Sequence, residues 1–344
     1  MRGAAGIAKQ GAGAVGQGQN RVGAAAALAV GAMAGIGLID NYVRLIAAEA
    51  GLWQFHLTRA AMALPLVGLL AWAMGTRLRP LNLRAVLGRS LFSSGAMVVY
   101  FGCLSVLPIG HVVAGLFTAP IFVTLISAGF LHIRVGLIQI VAVLLGFAGI
   151  LLVLRLDAGN LRVLSFMPVL SGLLYAIGNI ATREWCKEEA PLTLLFGFFC
   201  FMGLWGVIGL IVLQAYPLDV APGAGGFVTR GWVAPTGLFL GLTLVQAIGS
   251  ILGVGMIIRA YQIAEAQRVA VFENTLLVFA ALWAWLLWGE VLGAVAFAGM
   301  VAIGVAGVLI ALPSRVSPTC STSSPCAPIR TRRNWRTSTH NTVC

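Results

Sequence analysis

Between residues 24 and 312 the chain is a succession of apolar runs, each about the length a helix needs to cross a bilayer, roughly 20 residues. Charged or Pro/Gly-rich joints cut the runs at 24–43, 53–75, 86–106, 111–131, 135–155, 164–182, 192–214, 234–258, 269–288 and 291–312. No water-facing surface can be made from such material. Only 9% of the 344 residues are charged and 60% are hydrophobic, where a soluble domain carries about 25% charged residues. The expectation is an all-α integral membrane protein of ten transmembrane helices.

The net charge of +12 does not describe a nucleic-acid patch, because the basic residues sit between apolar runs. They follow the rule that Lys and Arg collect on the cytoplasmic side. With the N-terminus inside, 17 of the 22 Lys and Arg fall in inner segments, Arg77, Arg79, Arg84 and Arg89 among them, and five fall outside. Without the tail after Leu312 the split is 12 to 5. The expected location is the cytoplasmic (inner) membrane, with both termini cytoplasmic. Residues 1–23 form a basic Gly/Ala/Gln-rich segment. The run after it ends in Asp40-Asn41-Tyr42 with no small-residue cleavage site, so it reads as a retained span. Residues 313–344 are Ser/Thr/Pro/Arg-rich and are expected to form a disordered cytoplasmic tail.

Two segments repeat in order. "FAGILLVL" at 147–154 returns as "VAGVLIAL" at 305–312, an offset of 158 that also pairs Gly95 with Gly253, Val113 with Val271, Gly146 with Gly304 and His132 with Glu290. An offset of 138 pairs Asn41 with Asn179. Five spans per half, 24–155 and 164–312, force the second half to enter from the opposite face. That layout of two inverted five-helix repeats is one secondary transporters use.

"FHLTRA" in the second span, "TAPIFVTLISAGFL" in the fourth and "FENTLLVFAALWAWLLWGE" in the ninth, in this order, resemble the drug/metabolite transporter superfamily, EamA type. The resemblance covers roughly 24–312. The chain departs from the pattern with His132 in place of a Glu and Val278 in place of a frequent Pro. The resemblance implies a carrier of small organic metabolites, with export of amino acids or related metabolites the commonest direction.

Polar residues inside a span are costly and mark function. Asp40, Asn41 and Arg44 on the first span and His56 and Arg59 on the second lie toward the outer face. Asn179 and Arg183 on the sixth span and Glu273 and Asn274 on the ninth lie toward the inner face, with Tyr100, Tyr175 and Gln246 between. Tyr100, Tyr175, Asn179, Gln246 and Asn274 are expected to contact substrate. Asp40, Asn41, Arg59 and Glu273 are expected to gate or couple. Asp40 and Arg44, four apart, share a helix face, so Asp40 either exchanges between Arg44 and Arg59 or forms a static interfacial pair. Tyr175 and Asn179 either meet substrate or pack helices. Glu273 is either a first-turn carboxylate beside Arg268 or a proton or cation site; Glu290 is expected to anchor. Trp283 and Trp285 face different ways, so at most one lines a cavity.

No GxxxxGK[ST], HExxH or zinc spacing is present, and His56, His111, His132 and His340 are scattered. No cofactor or metal is expected, and the six cysteines read as free thiols. "SSGA" at Ser93–Ala96 lacks a matched base, so catalysis is not expected. Expected partners are a small-molecule substrate and the lipid bilayer; a homodimer stays open. The alternative to a carrier is a membrane-embedded enzyme or lipid-handling protein on the same bundle.

Overall fold

The computed structural model describes residues 2–103, 112, 115–116, 118–130, 136–154, 167–289 and 293–311. His111, His132, Glu290 and the tail lie outside the described residues. Apart from a 3-10 turn at Gly223–Gly226, the regular elements among the described residues are α-helices. Helices follow from the medium: apolar surroundings leave backbone N–H and C=O groups no partners but each other.

The helices are α1 (Arg2–Asp40), α2 (Val43–Glu49), α3 (Leu52–Ala73), α4 (Leu83–Cys103), α5 (Ala119–Gly129), α6 (Leu137–Leu154) and α7 (Met167–Glu184). There follow α8 (Pro191–Ala215), α9 (Gly237–Ile263), α10 (Ala266–Glu273), α11 (Thr275–Trp288) and α12 (Ala294–Ala311). Six stretches are long and apolar enough to cross a membrane: Arg21–Glu49, Leu52–Ala73, Leu83–Cys103, Pro191–Ala215, Gly237–Ile263 and Ala266–Trp288. The chain is therefore a multi-pass membrane protein. The ten-span arrangement expected from the sequence goes beyond these six.

The first span differs from the expected 24–43. Its helix runs back to Arg2, breaks after Asp40 and resumes at Val43. The break frees carbonyls, and side chains take them up: Asn41 Nδ2 donates to Gly37 O at 2.8 Å, and Gln246 Nε2 donates to Ile39 O at 2.7 Å. The ninth run breaks too, between Glu273 and Thr275. There Thr275 Oγ1 donates to Phe272 O at 2.7 Å.

α3 lies against α8, α4 against α7 and α8, α1 against α9 and α11, and α6 against α12. The α3–α8 approach is set by glycines three apart. A Cβ on Gly206 would stand 2.8 Å from Trp53 O and from the Leu57 nitrogen, and one on Gly209 would run into the Trp53 ring. Small residues at such positions let helices meet backbone to backbone. Gly115 likewise faces Pro168, and Gly178 faces Ser93.

Each end of the bundle is tied across long sequence separations. Where α2 meets α3, Gln54 and Val233 exchange two hydrogen bonds, of 2.8 and 3.0 Å, and Arg230 Nη1 donates to Ala47 O at 2.9 Å. Where α3 joins α4, the buried Glu189 carboxylate accepts the Leu81 and Asn82 backbone N–H groups at 3.0 and 2.7 Å, just ahead of α4. A carboxylate there meets unpaired donors at a helix start. Cys186, free and buried beside it, has its thiol pushed up to about 11, chiefly by burial; Arg89 opposes the shift and Glu189 adds to it.

Two outcomes follow from this packing. Gly206→Leu should destabilise the purified protein by about 1–3 kcal/mol through overpacking, lowering its unfolding temperature. Gly35→Ala, with open space at its Cβ, should leave that temperature nearly unchanged. N-ethylmaleimide at pH 8 should modify Cys186 slowly in the native protein and rapidly after denaturation, because the reactive thiolate is the minor form below its raised pKa.

Candidate functional site

Both broken helices end on the same cavity. It is lined from the first half by Asp40, Arg59, Arg89, Ser93 and Tyr100, and from the second by Tyr175, Asn179, Gln246, Glu273 and Asn274. Met33, Met97, Phe101 and Phe198 supply apolar wall. The cavity encloses about 120 Å³, below the roughly 300–1,000 Å³ typical of sites for drug-sized ligands. A compact solute fits without rearrangement; a larger one requires the helices to part.

Glu273 sits where α10 stops, 5% exposed. A buried carboxylate must be hydrogen-bonded. Two phenols do this: Tyr175 donates to Oε1 at 2.8 Å, and Tyr261 donates to Oε2 at 2.8 Å. Asn179 Nδ2 in turn donates to the Tyr261 oxygen at 2.9 Å. The order Asn179 to Tyr261 to Glu273 orients each donor, and such chains polarise one another. Arg268, the partner of Glu273 in one of the two readings of the sequence, instead pairs with Glu265 at 2.9 Å. The correction has a simple cause: α10 turns Glu273 into the bundle while Arg268 stays at its start.

Asn274 follows at the break. Its Oδ1 is buried without a hydrogen-bond partner, and its Nδ2 lies against Gly146 of α6, 3.3 Å from where a Cβ would stand. On the other break, Asp40 lines the cavity together with Arg59 and Gln246. Arg59 is 4% exposed; its Nη2 meets His56 Nδ1 at 3.4 Å, and Phe55 and Phe101 flank the guanidinium.

The expected site residues are thus brought to one cavity, with one exception. Asn41 does not line it; its Nδ2 ties α1 to α11 by donating to Ala280 O at 3.3 Å. The shared helix face for Asp40 and Arg44 is also corrected. The helix breaks between them, and Arg44 lies 3.6 Å over the Trp288 ring. Neither Trp283 nor Trp285 lines the cavity: Trp283 Nε1 donates to Ala34 O at 2.9 Å, and Trp285 is exposed. Ser94 accepts from Trp205 Nε1 at 3.1 Å, a packing bond.

Two residues were not foreseen, Arg89 in the cavity lining and Tyr261 bonded to Glu273. Arg89, counted in the sequence as a charge of an inner joint, is 3% exposed within α4. It donates to Thr182 Oγ1 at 3.0 Å and to Leu194 O at 3.2 Å. Its four-residue spacing from Ser93, along a Ser-rich helix face, was the available signal. Tyr261 follows Arg259 near the end of α9 and looks like an interfacial aromatic. Nothing local points to Glu273. Among the described residues no group of three His, Cys, Asp or Glu is placed to hold a metal ion.

Tyr261→Phe strands one oxygen of Glu273 and the amide of Asn179, whereas Tyr175→Phe strands one oxygen of Glu273. Each stranded buried group costs about 1–3 kcal/mol, so thermal unfolding of the purified variants should rank wild type above Tyr175→Phe above Tyr261→Phe.

Comparison with known proteins agrees with this picture. Residues 23–155 match the EamA-like transporter family. A riboflavin transporter of Vibrio cholerae is 25% identical over 266 residues, which are 74% of this chain and 83% of the relative. The pseudopaline exporter CntI of Pseudomonas aeruginosa is 26% identical over 253 residues, 73% of this chain and 83% of the relative. One solved crystal structure superposes with a TM-score of 0.66 across 83% of this chain and 95% of that one; at 14% identity the likeness is one of fold. The first half of the chain thus resembles the EamA-like transporter family, and transporters of small molecules align with the chain across most of their length.

Proposed function

We propose that the chain is a secondary carrier that exports amino acids or related small metabolites across the cytoplasmic membrane, by alternating access between two inverted five-helix halves. Transport of small molecules is the function of the relatives named above. The observation that carries the reading is the cavity, lined from both halves and reached by two broken helices that each end in an acid–amide pair, Asp40-Asn41 and Glu273-Asn274. Discontinuous helices around a shared site are how carriers place polar groups inside a membrane.

The helix pairing supports the two-half exchange. If α1, α3, α4, α5 and α6 trade places with α7, α8, α9, α10–α11 and α12, the contact of α4 on α7 becomes that of α9 on α1. The contact of α4 on α8 becomes that of α9 on α3. The pairs α3–α8 and α6–α12 map onto themselves, and all of these contacts are present. The offsets read from the sequence carry over to single residues: Gly95 faces Leu174, and their counterparts Gly253 and Ile36 also face each other.

In this mechanism substrate lies against Tyr100, Tyr175, Asn179, Gln246 and Asn274. Asp40 and Arg59 act on one side of the cavity, and Glu273 acts on the other. Opening toward the α3/α4 end would require Glu273 to release Tyr175 or Tyr261, a local exchange of hydrogen bonds that protonation or a substrate donor can drive. No chemistry on the substrate is involved, so the reading is a transporter rather than an enzyme. Both termini lie in the cytoplasm on the positive-inside distribution.

The test is a metabolite profile of medium and cells expressing wild type, Asn179→Ala or Asn274→Ala at matched membrane levels. Wild type should move at least one small metabolite outward chemically unchanged, and each variant should reduce that flux about tenfold, the factor that ~1.4 kcal/mol of lost interaction gives. An unchanged profile with wild type, or a covalently altered product, would overturn the carrier reading.

A further inference from the structure

Arg59 is a guanidinium with more donors than acceptors. It is 4% exposed, its Nε has no hydrogen-bond partner, and Nη2 alone is given an acceptor, the 3.4 Å contact to His56 Nδ1. The Phe55 and Phe101 rings lie 4.9 and 5.7 Å from its central carbon. A ring face offsets part of the charge but fills no N–H position. Taking a charge out of water without supplying its hydrogen bonds is expensive, and structures keep such groups where a ligand supplies them.

The other buried arginine of the cavity is in a different state. Arg89 spends Nε on Thr182 and Nη1 on Leu194 O, so it ties α4 to α7 and α8. Glu273 is likewise occupied by two phenols. Among the described charged groups lining the cavity, Arg59 is the cation with an unpartnered buried nitrogen, and Asp40 is the acid within its electrostatic reach.

We propose that Arg59 is the receptor for a carboxylate on the transported molecule, with Asp40 accepting a neighbouring donor of the same molecule. This rests on the carrier reading and gives it a substrate class: organic acids that carry a hydroxyl or amino group beside the carboxylate and an apolar remainder. The planar fork of a guanidinium matches the two oxygens of a carboxylate. One arginine beside one acid suits a monoanion. A phosphate dianion would face Asp40 with no second free cation lining the cavity among the described residues. The apolar remainder has Met97, Tyr100 and Phe101 to lie on. The walls favour a compact molecule, in keeping with about 120 Å³ of enclosed space.

The test uses the full-length protein in lipid nanodiscs and isothermal titration calorimetry with four probes of one shape: hydrocinnamate, its primary amide, phenethylamine and phenyllactate. Wild type should bind hydrocinnamate at least about tenfold more tightly than the amide or the amine, and phenyllactate more tightly again because its hydroxyl reaches Asp40. Arg59→Lys should keep the preference for acid over amide in weakened form, as a point charge without the fork. Arg59→Gln should abolish it, and Asp40→Asn should remove only the advantage of phenyllactate over hydrocinnamate. Equal binding of acid and amide by wild type, no binding of either acid, or acid binding unchanged in Arg59→Gln would each overturn the proposal. If Arg59→Gln does not fold, the wild-type and Arg59→Lys titrations still decide. The metabolite experiment separates the two readings. Export with no preference for acids sinks the receptor and leaves the carrier; acid preference without any export sinks the carrier and leaves the receptor.

Discussion

A carboxyl group among apolar helices has to obtain its hydrogen bonds from the protein, and Glu273 obtains them from Tyr175 on α7 and Tyr261 on α9. The three residues come from three helices, α9 and α10 consecutive in the chain and α7 about a hundred residues earlier. Because neither oxygen can be left bare, the C-terminal end of α10 is held against α7 and α9 at one place. The Asn179 amide fixes the direction of the Tyr261 hydroxyl, so the network has a preferred polarity and not merely a location. Asn274, next in the chain, is thereby set at the cavity wall with an unspent oxygen. The end of α10 and the Asn274 amide at the cavity wall are positioned by this one set of bonds.

The breaks in α1–α2 and α10–α11 pose the opposite problem, since they create unpaired backbone carbonyls where no water can serve them. The answers are side chains one or a few residues away, Asn41 and Thr275, or one reaching in from another helix, Gln246. This explains why an amide expected to gate is found tying helices. Asn41 serves the break itself, while Asp40 beside it faces the cavity.

Much of this architecture can be read from apolar run lengths, because a membrane permits few folds and polar residues inside it are rare enough to be noticed one by one. Tyr100, Tyr175, Asn179, Gln246 and Glu273 stood out for that reason. Arg89 was overlooked because a cation near a run's edge looks like a surface charge, and its partners Thr182 and Leu194 lie about a hundred residues away. Tyr261 was overlooked because aromatic residues near helix ends are ordinary at membrane interfaces. The helix breaks were invisible for a different reason. Asp-Asn and Glu-Asn do not interrupt hydrophobic periodicity; they only make an interruption tolerable once neighbouring helices supply partners.

In the proposed exchange of two halves, the matching of helix pairs does not extend to the charges. At the offset of 138, Asp40 has Gly178 as its counterpart; at 158, Arg89 has Ala247 and Glu273 has Gly115. Gly178 and Gly115 are packed against Ser93 and Pro168, with no room for an acidic side chain. On the proposed exchange of halves the scaffold is close to a palindrome, and the electrostatics written on it are not. In the proposed carrier, a frame that reads the same both ways would open toward either side of the membrane, and one-sided charges would make those two postures unequal in energy. Its resting posture would then be set by where the ionisable groups sit rather than by the helices that carry them.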